Sequence, residues 1–269
     1  MDHEERVRRA VNAAHEAAIA SGGVVCRGSA ALAHGWEVLR IPGRPQVTVP
    51  KGRRKERLDP RLVEYRKLNL PEHQVDEVVT VEWRTLSDCL RYYPASEGLC
   101  IADSALLHGF AHDRLVELAK AARGPNAFKV KLVAAAVDER AANVFESATR
   151  AIALSVAGLD ATPQVSIYQD GAFLGRPDLV DRQLGLIIEA DSAKEHATVE
   201  GINRDAARYD TFVIHGWVVL RFTWRQAVHR PHWARSVLIA AVERRRTELG
   251  LPLLPRPRIL WVPSRRRAA

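Results

Sequence analysis

A chain of 269 residues has room for one large domain or two ordinary ones, each with its own core. Its 47% hydrophobic and 27% charged residues are those of a globular protein, no apolar run approaches the roughly 20 residues that span a bilayer, and the acidic start Met1-Asp2-His3-Glu4-Glu5 has no signal-peptide core, so a cytoplasmic protein is expected. A net charge of +8 favours an anionic partner, of which nucleic acid is the commonest; an arginine-rich genome is the other source of such a charge.

In chain order, Val7, Val11, Ala14 and Ala18 share a helical face that Ser21-Gly22-Gly23 ends. Ser29 is placed to cap a short helix over Ala30 to His34. Gln46 to Val49, Leu62 to Leu70 and Val75 to Val81 read as strands. Between the first two lies the basic loop Lys51-Gly52-Arg53-Arg54-Lys55-Glu56-Arg57, which suits phosphate contacts and equally a solvated hairpin tip. Thr85 or Ser87 would cap the next helix, and two more follow over Leu99 to Leu107 and Asp113 to Ala122. Gly124-Pro125 then marks the expected domain boundary. Cys26, Cys89 and Cys100 are an odd number without CxxC spacing, so reduced, buried thiols are expected.

The second half opens with a helix carrying Phe145, Ala148, Ile152, Val156 and Leu159 on one face. Val165 and Ile167 begin a strand, Asp170-Gly171 is a hairpin turn, and Phe173 to Asp178 reads as the returning strand. After a turn at Asp181-Arg182-Gln183, Leu184 to Asp191 is a mostly apolar strand suited to a sheet interior. A helix follows with Val199, Ile202, Ala206, Tyr209 and Val213 on its buried face, and His196, Glu200, Arg204 and Arg208 on the opposite one. Trp217 to Phe222 is a further strand, and Trp233 to Arg245 a last helix. The order is αβββαβα.

Alternate residues of a strand face opposite sides, so Ile187, Glu189 and Asp191 share one face of the 184–191 strand. Carboxylates at the end of a buried apolar strand need a partner. Asp178, at the end of the neighbouring strand, is expected beside Glu189, and Glu146 on the flank of the first helix completes the cluster. Hard divalent ions take carboxylate oxygens and keep several waters. Such an ion activates water and neutralises a phosphate under attack. Salt bridges from Asp178 to Arg176 or from Glu189 to Arg221 would account for the acids equally well. Elsewhere, Pro231 disfavours a regular helix through His229-x-x-His232 and with it a metal pair, and neither a P-loop nor a G-x-S-x-G elbow is present.

Arg176-Pro177-Asp178, followed after ten residues by Glu189-Ala190-Asp191, resembles the PD-(D/E)xK nuclease signature. With Glu146-Ser147, His196, Arg204-Asp205 and the run Gly216 to Trp224, the ordered string is similar to a bacterial family. Its C-terminal domain, long a domain of unknown function, is of the very-short-patch-repair endonuclease type. Ser29 to Gly35, Val47 to Arg54, Arg84 to Asp88 and Ala102 to Leu106 resemble segments of abortive-infection-type antitoxins. The founding members of the endonuclease family act on mismatched DNA.

The resemblance implies Mg²⁺ or Mn²⁺ held by Asp178 and Glu189, with Glu146 as an accessory acid. It places Asp191 where the superfamily has a lysine and His196 near the scissile phosphate. Lys194 is close enough in sequence to stand in for the missing lysine. Ser192 replaces the usual glycine, and the chain begins too late for the winged helix that many relatives carry. Arg53, Arg54, Arg204 and Arg208 are the expected DNA contacts, although Arg204 and Arg208 also fit an ordinary solvated helix face. The expected class is α/β: an α+β domain over 1–125, antitoxin-like, a restriction-endonuclease-like αβββαβα domain over 126–250, and a Pro/Arg-rich tail over 251–269. The expected function is metal-dependent hydrolysis of DNA phosphodiesters, in repair or phage defence. The alternative is a non-catalytic, antitoxin-like DNA-binding regulator; a cognate toxin or self-association is left open.

Overall fold

The computed structural model describes residues 2–52, 59–191, 199–252 and 254. They form two compact units that divide after Val137, with Pro94–Ser96 counted in the second. Both mix helices and sheet, and the α/β class holds. Among the described residues no helix is long and apolar enough to cross a membrane.

In the first unit, Asp2 caps α1 (His3–Ser21) by accepting from the Glu5 amide at 2.8 Å, and Gly22 ends it in the left-handed conformation. Five short strands follow, β1 (Val24–Val25), β2 (Gln46–Val49), β3 (Glu64–Lys67), β4 (Val75–Asp76) and β5 (Val79–Thr80), in the order β3-β2-β1-β5-β4. Ala14 and Ala18 of α1 pack on Val25, Val47 and Val49. Helix α2 (Arg27–Ala33) lies between β1 and β2, and α3 (Glu82–Tyr92), α4 (Ala95–Leu107), α5 (His112–Ala121) and α6 (Ala127–Ala134) complete the unit's helices.

Several expectations shift here. Ser29 lies inside α2, whose N-cap is Cys26, and its hydroxyl accepts from the Gln46 amide instead. Thr85 lies inside α3 and hydrogen-bonds to Thr80. The 75–81 strand is folded into a hairpin by Glu77, whose φ of 50° is a turn conformation. Helix α6 packs on α3 and α5, so the first unit runs past Gly124-Pro125 to Val137. The three cysteines are buried, and none of them is in a disulfide.

The second unit begins with α7 (Val144–Ala153), whose N-cap Asn143 accepts from the Phe145 and Glu146 amides. Strands β6 (Thr162–Pro163), β7 (Ile167–Gln169), β8 (Ala172–Gly175), β9 (Leu179–Asp181) and β10 (Leu186–Asp191) precede α8 (Val199–Ile214), β11 (Val218–Thr223), a π-helical turn at Arg225–His229 and α9 (Pro231–Glu248). The main sheet has the order β11-β10-β9-β6, with β10 and β11 parallel and the other pairs antiparallel. Strands β7 and β8 form a separate hairpin turned by Asp170 and Gly171, both at positive φ. The expected αβββαβα order drew its first two strands from that hairpin; the main sheet uses β6 and β9 in their place, giving α7-β6-β9-β10-α8-β11-α9.

Strand β10 is buried on both faces. Leu186 and Ile188 pack with Phe145 and Ile152 of α7, Phe222 of β11, and Leu238 and Val242 of α9. Ile187 packs on the other side with Val180, the hairpin residues Ile167 and Leu174, and Phe212 of α8. Two expectations change at this point. The 173–178 strand is broken, because Gly175 adopts φ 150° and Pro177 has no N–H to donate, so Asp178 stands at the start of β9 in the main sheet. Helix α8 is also rotated from its expected orientation. Ala206 and Val213 are exposed, while Phe212 is fully buried and Arg208 half-buried.

Candidate functional site

The register of the main sheet sets out the site. Leu179 of β9 pairs with Pro163 of β6 and with Ile188 of β10. One step along, Gln164, Asp178 and Glu189 are therefore neighbours, and Glu189 pairs in turn with Arg221 of β11. A row of four polar residues follows the register across the sheet, with Gln164 and Asp178 one residue outside β6 and β9. The Gln164 amide N–H closes the first step by donating to the Asp178 carbonyl at 2.9 Å. Asp178 and Glu189 fall on the face of Val180 and Ile187, beneath α8, because side chains alternate along both strands.

The two carboxyl groups belong to neighbouring register positions on that face. The Ala190 amide donates to Asp178 Oδ2 at 2.8 Å, and the Gln164 amide group donates from Nε2 to Oδ1 at 3.2 Å. Glu189 is 4% exposed. Its Oε2 accepts a long bond, 3.4 Å, from the Asp178 amide, and its buried Oε1 accepts none among the described residues. The nearest guanidinium is that of Arg208, whose Nη2 is 3.4 Å from Oε1 without a hydrogen-bond alignment. Burial and the adjacent Asp178 push Glu189 up to about 8, against the pull of Arg208. Burial likewise raises Asp178, against its hydrogen bonds and Arg208. The two shifts share a direction because like charges in such surroundings resist being ionised together.

Glu146 is 7% exposed and sits in the first turn of α7. Its Oε2 accepts from the Ala142 amide at 3.0 Å and its Oε1 from Asn143 Nδ2 at 2.8 Å, so it closes the cap that Asn143 opens. The same Oε2 accepts from Gln164 Nε2 at 2.9 Å. Glu146 thus reaches Asp178 through one amide group. Among the described residues no three His, Cys, Asp or Glu side chains converge as a metal-binding group.

Asp191 pairs with Arg221 at 2.9 Å. Among the described residues neither anticipated salt bridge forms: Arg176 does not pair with Asp178, nor Arg221 with Glu189. Arg208 departs from the solvated face expected of it. It is half-buried between Glu189, Asp205 at 3.5 Å and Tyr209, whose hydroxyl accepts from it at 3.1 Å. Arg221 lies over the Tyr209 ring at 4.1 Å. Arg204 is exposed. Lys194, His196, Arg53 and Arg54 lie outside the described residues, as does nearly all of the 251–269 tail.

Two contributors escaped the sequence reading. Gln164 follows an apolar-polar alternation that gives its side chain no distinction; only its place after Pro163, outside the strand proper, hints at a special backbone. Gly175 is the other, lying inside what reads as a continuous strand from Phe173 to Asp178. A Cβ there would stand 2.8 Å from Phe212 Cζ and 3.6 Å from Arg208 Cδ, so glycine lets α8 close down over the pair.

The donor set suits a hard divalent cation. Two adjacent carboxylates, one with an unused buried oxygen, match the one or two carboxylates by which Mg²⁺ is commonly held while it keeps its waters. Compared with family models, curated proteins and solved structures, the chain matches none of them. The functional reading therefore rests on the chemistry of this row.

Proposed function

We propose that the second unit is a Mg²⁺- or Mn²⁺-dependent endonuclease that hydrolyses DNA phosphodiester bonds. The observation that carries the reading is the adjacent, buried Asp178–Glu189 pair, whose Glu189 Oε1 has no hydrogen-bond donor among the described residues. The αβββαβα order and the resemblance of Arg176-Pro177-Asp178 and Glu189-Ala190-Asp191 to the PD-(D/E)xK signature support it, as does the net charge of +8.

In this reading Asp178 and Glu189 hold the cation, which when bound supplies charge neutralisation and an activated water. Glu189 must release its proton to take that role. Arg208 then has its counter-charge shared with the cation, and its guanidinium is the nearest cationic group to a phosphate oxygen at the pair. Exposed Arg204 contacts the DNA backbone. Asp191 is held by Arg221 and serves the site indirectly.

The engagement of Asp191 by Arg221, in the place where the signature has a lysine, favours the second reading: a DNA-binding regulator that keeps the nuclease architecture without catalysis. Supercoiled plasmid incubated with the protein separates the two. The endonuclease reading expects nicking that rises with Mg²⁺ or Mn²⁺ and stops on chelation. DNA binding with no nicking under either ion would favour the regulator.

A further inference from the structure

Gln164 has the one left-handed backbone in the candidate row, with φ 53°. A residue other than glycine rarely holds that conformation, and Asn and Asp hold it more often than Gln. Elsewhere in the described chain Glu77 and Asp170 adopt it in hairpin turns, Asn126 as the cap of α6, and Arg27 at the start of α2. Gln164 lies in the turn that follows Pro163. It follows β6 directly, and its N–H continues the β6–β9 pairing by donating to the Asp178 carbonyl. Glycine would adopt this backbone without a Cβ penalty. A long side chain kept in a costly conformation points to use of that side chain.

Its use is visible in its bonds. Nε2 is 2.9 Å from Glu146 Oε2 and 3.2 Å from Asp178 Oδ1, so one amide group joins the cap of α7 to the carboxylate on β9. Only an NH₂ group has the two hydrogens to serve both oxygens. Glu146 is itself fixed by the Ala142 amide and Asn143. The chain α7 cap, Glu146, Gln164, Asp178 therefore runs from a helix terminus to the buried pair without a gap.

We propose that Gln164 is a positioning residue for cation binding at Asp178 and Glu189. Its left-handed backbone aims the amide between Glu146 and Asp178, which fixes the Asp178 carboxylate against Glu189 before any cation arrives. Glu146 thereby acts on the site through Gln164, not as a third ligand. Partners that orient a metal-binding carboxylate typically change metal affinity 10–100-fold when removed. This inference rests on the cation reading above.

The test is Mn²⁺ affinity of the full chain, measured by electron paramagnetic resonance of free Mn²⁺, together with thermal melting without the ion. Gln164→Gly removes the amide and relaxes the backbone. Gln164→Met keeps the length of the side chain and removes the donors. Asp178→Ala is the control for loss of the site. We expect Gln164→Gly to melt close to the parent and both Gln164 variants to bind Mn²⁺ at least about 10-fold more weakly. A merely structural Gln164 would leave Mn²⁺ affinity untouched in the relaxed glycine variant. Parental affinity in Gln164→Gly or Gln164→Met, with binding lost in Asp178→Ala, would overturn the role of Gln164 and leave the cation reading standing. A parent that fails to bind millimolar Mn²⁺ would bring down both.

Discussion

At the residue scale, Glu189 is a buried carboxyl whose charge the fold resists. Its pKa is pushed up to about 8 from the ordinary glutamate range by burial and by Asp178. A carboxyl whose folded-state pKa lies above its unfolded value binds its proton more tightly in the native protein. The resulting stabilisation is fully present below the unfolded pKa, near 4.5, and is lost as pH rises through about 8. In a metal chelator, the melting temperature of the parent should therefore fall between roughly pH 5 and pH 8.5, at about 3 °C for each kcal/mol lost. Glu189→Gln, which stays neutral throughout, should flatten that slope. A parent whose stability is level across this window would show that the pair is ionised in the fold. Gly175 makes a separate prediction. A methyl group there meets the Phe212 ring at 2.8 Å and takes a backbone of φ 150°. Gly175→Ala should thus destabilise the second unit by about 1–3 kcal/mol, and a melting curve like the parent's would contradict the packing of α8 described above.

At the element scale, α8 shows what the sequence could and could not reveal. Its existence was legible from length and apolar spacing, as were β2, β10, β11, α9 and the Asp170-Gly171 hairpin. Its orientation was not. The helix has apolar residues on more than one side, so Ala206 and Val213 fitted an inward stripe as well as Phe212 did. The carboxyl pair on β9 and β10 decides between them, because Arg208 brings charge to the buried acids while Val213 is left 59% exposed. The break at Gly175-Arg176-Pro177 was hidden for a related reason: strand periodicity continues through it, whereas pairing partners are set by tertiary structure. The closeness of Asp178 to Glu189 survived this error because Asp178 immediately precedes β9, the strand that pairs with β10. Gln164 was missed because its role depends on one dihedral angle and two bonds across the sheet. The orientation of α8 separates its two arginines. Arg204→Ala should weaken DNA binding and lower the salt slope by about one unit. Without a divalent ion, Arg208→Ala should leave that slope nearly unchanged, because its guanidinium then faces Glu189 and Asp205. Equal slopes for the two variants would argue against this division.

At the scale of the whole molecule, the acids that tie the first unit together differ from the Asp178–Glu189 pair of the second. In the first, Asp88 is paired with Arg66 and Arg84, and Glu64 accepts from Arg27, Gln46 and Tyr92. Those acids are satisfied, and they hold β2, β3 and α3 together. In the second, among the described residues, the Asp178–Glu189 pair is left with an unused oxygen and a poorly aligned guanidinium. A buried acid left in that state is destabilising unless something else binds it, and this contrast is why the chemistry is assigned to the second unit. The net charge of +8 predicts DNA affinity that falls steeply with salt whether or not the protein cleaves, so binding alone cannot separate an enzyme from a regulator. The most direct measurement follows cleavage and affinity on the same DNA for the parent and Asp178→Ala, with Mg²⁺ or Mn²⁺ present. The account predicts that Asp178→Ala abolishes nicking and binds as tightly as the parent or slightly more so, since the carboxylate acts on the reaction and a negative charge has gone. Undiminished cleavage by purified Asp178→Ala, or a parent that binds DNA and never cuts it, would contradict the account.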